Sequence, residues 1–215
     1  MTDCPNPNPV SKAPQQTRSR QTELRLMEAT MALLKEGGLE ACQIPEVARR
    51  AGVSVGAVYR RFDDKNALLA ATFRHTFSCQ VEGREVLRAH LADQPSLEAI
   101  FHSLVSAFVA SLVASGKFTA ALQRFARHEA DASFQALVKE TRRQSIALME
   151  DVIRTKAPAS VSNDQIRFAL VAVTATLNAL MLNDEAEALG WSATDPRIVD
   201  EMTRLAMRYL VTPAA

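Results

Sequence analysis

Apolar residues recur at helical spacing along almost the whole chain, and the interruptions fall where helices are expected to stop. From Thr17 to Glu36, Leu24, Met27, Met31 and Leu34 form one stripe, and Gly37-Gly38 ends it. Two short helices follow between Gln43 and Leu68. A long one then starts near Lys65 and carries Leu68, Leu69, Phe73 and Phe77 toward Leu87. After the break at Asp93–Ser96, Leu97, Phe101, Leu104, Phe108 and Leu112 repeat every three or four residues until Ser115-Gly116. A shorter helix, Lys117 to His128, turns Phe118, Leu122 and Phe125 inward. The next, Asp131 to Lys156, is marked by Phe134, Val138, Met149 and Val152 and closes at Ala157-Pro158. Ser162-Asn163-Asp164 caps a helix to about Leu182, with Ile166, Leu170, Val173, Leu177 and Leu180 on one side and the small Ala169, Ala172, Thr176 and Ala179 on another. The last runs from Pro196 to about Leu210, with Ile198, Met202, Leu205 and Tyr209 on one stripe. No segment alternates like a strand and no internal repeat is visible. The pattern predicts an all-α protein of about nine helices.

The most informative stretch is Gln43–Leu68. Ile44, Val47 and Ala48 define one helix face, with Arg49 and Arg50 on the other. Gly52 can adopt the positive φ of a sharp turn, and Ser54 can cap the helix that follows. Val58 and Phe62 make the apolar side of that second helix, and Ala48 is small where the two would cross. Such a pair is a helix-turn-helix, whose second helix enters the DNA major groove. Ala48, Gly52-Val53-Ser54, Tyr59, Phe62 and Lys65, followed by Leu68, resemble the N-terminal DNA-binding domain of the TetR family of transcriptional regulators. Helix pairs with Ala and Gly are common; the Tyr-x-x-Phe-x-x-Lys extension makes the resemblance specific.

Composition narrows the reading. The 215 residues carry a net charge of only +1, so nucleic-acid contact must come from a local patch. Arg49, Arg50, Arg60 and Arg61 against Glu46 give the Gln43–Phe62 segment a balance of 4 − 1 = +3. The three cysteines, Cys4, Cys42 and Cys79, lie far apart and suit a reducing cytoplasm. Met1–Gln16 holds four prolines and has no periodicity, which predicts a disordered arm. No run approaches eighteen uninterrupted apolar residues, so no membrane span is expected. His75, His90, His102 and His128 lack metal-ligand spacing, and neither a phosphate loop nor a nucleophile elbow is present. Neither a metal nor a cofactor is expected, and an enzyme is the least favoured alternative.

The expected organisation is therefore an arm (1–16), a three-helix DNA-binding head (17–64) and a helical effector-binding and dimerisation body (65–215). Ser54, Val55, Gly56 and Ala57 form the first turn of the recognition helix. Ser54 would touch a phosphate or base, Val55 and Ala57 thymine methyls, and Gly56 would permit close approach. Arg60 would reach a guanine edge or a phosphate. By resemblance Tyr59 and Lys65 hold phosphates, while Gln43 replaces the usual threonine or serine cap. The resemblance further implies a homodimer on a palindromic double-stranded operator, and a small-molecule effector that releases a repressor. Phe101, Phe108, Phe125, Met149, Thr174 and Asn178 are candidate pocket residues, a mostly apolar set. The competing class is a DNA-binding dimer without effector.

Overall fold

The computed structural model describes residues 13–183 and 185–211; the side chains of residues 13–18 and 80–82 lie outside that description. Eight α-helices and one 3-10 turn account for the regular structure among the described residues, and none of them forms a strand. Residues 1–12 of the expected arm lie outside the described residues. Residues 13–16 belong to the first helix, which starts four residues before the expected Thr17.

Three helices make the head. α1 (Ala13–Ala41) is interrupted at Gly38, whose φ of 66° and ψ of −155° are open essentially to glycine alone. The expected stop at Gly37-Gly38 is therefore a real break, with one further turn beyond it. Leu26 and Leu33, as well as Met27 and Leu34, are buried, so α1 is embedded more widely than a single stripe implies. α2 (Ile44–Ala51) buries Ile44, Val47 and Ala48, and α3 (Val55–Tyr59) buries Val58 against them.

The body is built from longer helices. α4 (Lys65–Ala92) starts behind an Asp64 cap and leaves the head. α5 (Leu97–His128) is bent at Ser115, where the backbone departs from helical geometry (φ −144°, ψ 23°), at the site where the sequence predicts a stop. α6 (Ala132–Arg154) and α7 (Asn163–Leu182) follow. α7 opens with a full capping box, in which Ser162 Oγ accepts from Gln165 N–H and Gln165 Oε1 accepts from Ser162 N–H. α8 (Arg197–Val211) closes the chain.

Two cores result. One, in the body, gathers Ile100, Phe101, Val105, Leu112, Ile166, Leu170, Leu177 and Ile198. The other belongs to the head, yet it includes Phe73 of α4, Phe118 and Phe125 of α5, and Phe134 of α6. The expected boundary at residue 64 separates helices but not their cores. α5 and α7 are long and apolar enough, by length and composition, to cross a membrane, with mean hydropathy of 1.8 and 1.5 in their most apolar windows. Both contribute residues to the body core, and α7 also leaves Phe168 and Val171 exposed. α8 differs from expectation in one respect: Ile198, Ala206 and Leu210 face inward, whereas Leu205 and Tyr209 point outward.

Candidate nucleic-acid interface and ligand cavity

The geometry of the head follows from its turn. Gly52 adopts φ 67° and ψ 38° and donates its N–H to the carbonyls of Ala48 and Arg49, closing α2 in left-handed conformation. Val53 N–H also reaches Ala48 O at 2.9 Å, which fixes the exit direction of the chain. Ser54 Oγ then accepts from Ala57 N–H at 3.2 Å and starts α3. Gln43 gives α2 no side-chain cap; its amide donates instead to Glu40 O at 3.1 Å, as its departure from Ser or Thr foreshadowed.

The turn presents some of the predicted contact residues and withdraws others. Val55, Gly56 and Arg60 are exposed, and Tyr59 is 54% exposed, which leaves its ring and hydroxyl free of the core. Ala57 is only 7% exposed, so its methyl packs into the head instead of facing a groove. The sequence pattern misplaced it because one turn of helix carries both faces. A Cβ built at Gly56 would meet nothing nearer than Ser54 Oγ at 4.0 Å, so the fold does not require glycine there.

The local charge also changes on folding. Arg49 grips Glu46 through two hydrogen bonds of 2.8 and 2.6 Å, and Arg50 reaches across to Glu36 of α1 at 2.6 Å. Hydrogen bonds from these arginines hold the Glu36 and Glu46 carboxyls below their ordinary pKa. Glu36 lies outside the segment counted in the sequence, so the local surplus falls from +3 to 4 − 2 = +2. Arg61 donates to Ala57 O at 3.0 Å. Arg60 keeps its guanidinium unpaired among the described residues. Lys65 Nζ donates to Leu39 O at 3.2 Å, tying the start of α4 to the end of α1 and leaving two N–H donors for a phosphate.

A cavity of about 620 Å³ lies in the body between four helices. α4 supplies Cys79, Gly83, Arg84 and Leu87; α5 supplies Leu104, Phe108 and Ser111; α6 supplies Arg142, Ser145, Ile146 and Met149; α7 supplies Leu170 and Thr174. Its size falls within the range usual for small-molecule sites. Of the six predicted pocket residues, Phe108, Met149 and Thr174 line it. Phe101 is sealed in the body core, Phe125 lies in the head core, and Asn178 sits one turn beyond Thr174, donating to its carbonyl at 2.9 Å. Helical period alone does not tell a core wall from a cavity wall, since both require apolar groups at the same spacing. Arg84 and Arg142 escaped sequence reading because charges on a helix read as solvated. A second hollow of about 600 Å³ between the start of α5 and α8 is lined largely by polar groups such as Gln94, Ser96, Glu98 and Asp200.

The joint between cavity and head is aromatic. Phe73 meets Phe118 edge-on and Phe125 at a tilt, with ring centroids 5.3 and 5.5 Å apart, and Phe125 meets Phe134 edge-on at 5.2 Å. Lys117 Nζ donates to Glu36 O at 2.8 Å and Arg124 pairs with Glu40 at 3.0 Å, so the outer half of α5 is fastened to the end of α1. Elsewhere on the body, Phe168 of α7 and Tyr209 of α8 are exposed with rings 5.3 Å apart, Leu205 is exposed beside them, and Val171 is exposed on α7. Among the described residues, no group of three His, Cys, Asp or Glu side chains is placed to hold a metal ion.

Residues 26–72 match the family described as "Bacterial regulatory proteins, tetR family". The HTH-type transcriptional regulator BetI of Escherichia coli O45:K1 (strain S88 / ExPEC) is 29% identical over 181 residues, covering 84% of this chain and 89% of its own. Among solved structures, a TetR-family transcriptional regulator from Mesorhizobium loti MAFF303099 superposes with a TM-score of 0.64 at 17% identity, covering 88% of this chain and 96% of that one. The transcriptional regulator FadR from Bacillus subtilis, solved in complex with stearoyl-CoA, superposes with a TM-score of 0.62 at 13% identity over 89% and 99% of the two chains. At that identity these two likenesses concern the fold.

Proposed function

Because this chain belongs to the TetR family of bacterial transcriptional regulators, we propose that it acts as a homodimeric, ligand-responsive repressor released from a palindromic operator by a small molecule. One observation carries the proposal: α4 and α5 each run from the cavity wall into the aromatic core of the head. α4 presents Arg84 and Leu87 to the cavity and Phe73 to the head; α5 presents Phe108 and Ser111 to the cavity and, beyond its bend at Ser115, Phe118 and Phe125 to the head. A ligand that wedges α4 from α6 must either tilt these helices or strain a close-packed cluster. Packed aromatic joints move as units, so the tilt reaches α1 and α3.

The dimer rests on α7 and α8. Phe168, Leu205 and Tyr209 are exposed around one apolar hollow that also includes Ala172, and the small Ala172 and Ala179 allow a partner helix to approach closely. A second subunit on this face accounts for the apolar surplus of α7 without a membrane, in keeping with a cytoplasmic protein. Two copies set two α3 helices toward half-sites about 34–36 Å apart. Val55 and Arg60 then face base edges, Gly56 lets the backbone come close, and Ser54, Tyr59, Lys65 and Gln43 address phosphates. A ligand that favours another spacing weakens operator binding, by about 5- to 150-fold if the coupling is typical.

The test has two parts. Footprinting with the purified protein should reveal a protected palindrome, and Tyr59→Ala should weaken its binding while the protein stays dimeric. Compounds found by thermal shift should then lower operator affinity. A library that stabilises the protein nowhere would favour a DNA-binding dimer without effector, and retained binding by Tyr59→Ala at moderate salt would refute the phosphate role.

A further inference from the structure

Resting on the ligand-responsive reading above, we propose that the cavity takes an amphipathic anion: an aliphatic chain whose negatively charged head is met by Arg84 and Arg142. Most of the wall is apolar, with Leu87, Leu104, Phe108 and Ile146 among its residues. The polar groups on it are few and partly engaged: Ser145 donates to Thr141 O at 2.9 Å and Thr174 to Leu170 O at 2.8 Å, each within its own helix. Neither feature favours a polar ligand.

The charge pattern supplies the head group. Nearby arginines have acidic partners: Arg88 of α4 pairs with Glu85 at 2.8 Å, Arg143 of α6 with Glu140 at 2.9 Å, and Arg167 of α7 with Glu150 of α6 at 2.6 Å. Among the described residues, Arg84 and Arg142, the two arginines that line the cavity, make no hydrogen bond or ion pair, and no Asp or Glu lines it. Two like charges beside a largely apolar wall repel one another and repel any cation. A carboxylate or phosphate relieves that repulsion, and a guanidinium fork can hold it through two parallel hydrogen bonds. A volume of 620 Å³ holds on the order of twenty non-hydrogen atoms at about 30 Å³ each, enough for a chain of about eight to fourteen carbons with its head group. A free carboxylate fits inside, whereas a coenzyme A thioester would leave its phosphates at the arginine-bearing rim.

Calorimetric titration of the full-length dimer, below micelle concentrations, distinguishes these cases. Decanoate, decanol, decyltrimethylammonium and decanoyl-CoA are compared on the native protein and on the Arg84→Gln/Arg142→Gln double variant. Decanoate or decanoyl-CoA should bind at least tenfold more tightly than decanol, and the tighter of the two identifies the source of the anion. The double variant should lose that preference while its decanol affinity stays within twofold. The proposal is overturned if neither anion binds, if decanol or the ammonium binds as tightly, or if the double variant keeps the preference. The ligand-responsive reading fails separately, when no compound of any charge alters operator affinity.

Discussion

Gly56→Ala separates what the head needs in order to fold from what it needs in order to bind. The added methyl has room, since its nearest neighbour would be Ser54 Oγ at 4.0 Å, and Gly56 needs no positive φ. Glycine inside a helix is about 0.5–1 kcal/mol less favourable than alanine, and the lower figure suits a position in the first turn of a five-residue helix. The variant should therefore be about 0.5 kcal/mol more stable, a rise of roughly 1–2 °C in Tm for a chain of this size. Operator affinity should move the other way. A methyl on the groove-facing turn holds the backbone away from the bases and lengthens several hydrogen bonds together, each worth about 0.5–1.5 kcal/mol. A loss of two such bonds, about 1–3 kcal/mol, amounts to roughly 5- to 150-fold in Kd. Differential scanning calorimetry and fluorescence anisotropy on the protected palindrome measure the two effects. If the variant is less stable, glycine serves the fold and the open space at its Cβ has been misjudged. If it binds as well as the native protein, α3 does not approach the groove through this turn.

Phe125→Ala should cost about 3–5 kcal/mol in urea unfolding, because a fully buried ring in contact with two others is removed from a joint that has little room to collapse. Phe168→Glu should leave monomer stability within about 0.5 kcal/mol, since the ring is 60% exposed, yet weaken self-association enough to show in light scattering; an unchanged dimer would place the interface elsewhere. The Cys42 thiol, buried and directed at Thr30 O, is pushed up to about 11 by burial. In a Cys4→Ser background at pH 8, a thiol reagent should label exposed Cys79 quickly and Cys42 only on unfolding. The folded state holds a proton that the unfolded chain releases near pH 9.0. Stability should therefore fall as pH rises from about 9 to about 11, by at most about 1.4 kcal/mol per unit.

The parts of this protein that depend on neighbours a few residues apart were legible in its sequence. The Gly52 turn, the Ser54, Asp64 and Ser162 caps and the break at Ser115-Gly116 are local, because a cap or a left-handed residue acts within one turn of backbone. Whatever depended on residues far apart in sequence was decided by tertiary structure. Arg50 meets Glu36 only because α1 crosses α2, and this lowers the basic surplus of the head. Phe125 lies one helical turn from Leu122 and reads as body core. Only the bend in α5 delivers it to the head, where it meets Phe73 from another helix. Arg84 and Arg142 stand 58 residues apart in sequence and each resembles a solvated surface charge. Packing four helices around a space they do not fill puts both on one wall. An amphipathic period specifies which face of a helix avoids water, but not whether that face meets another side chain, a second subunit or a ligand.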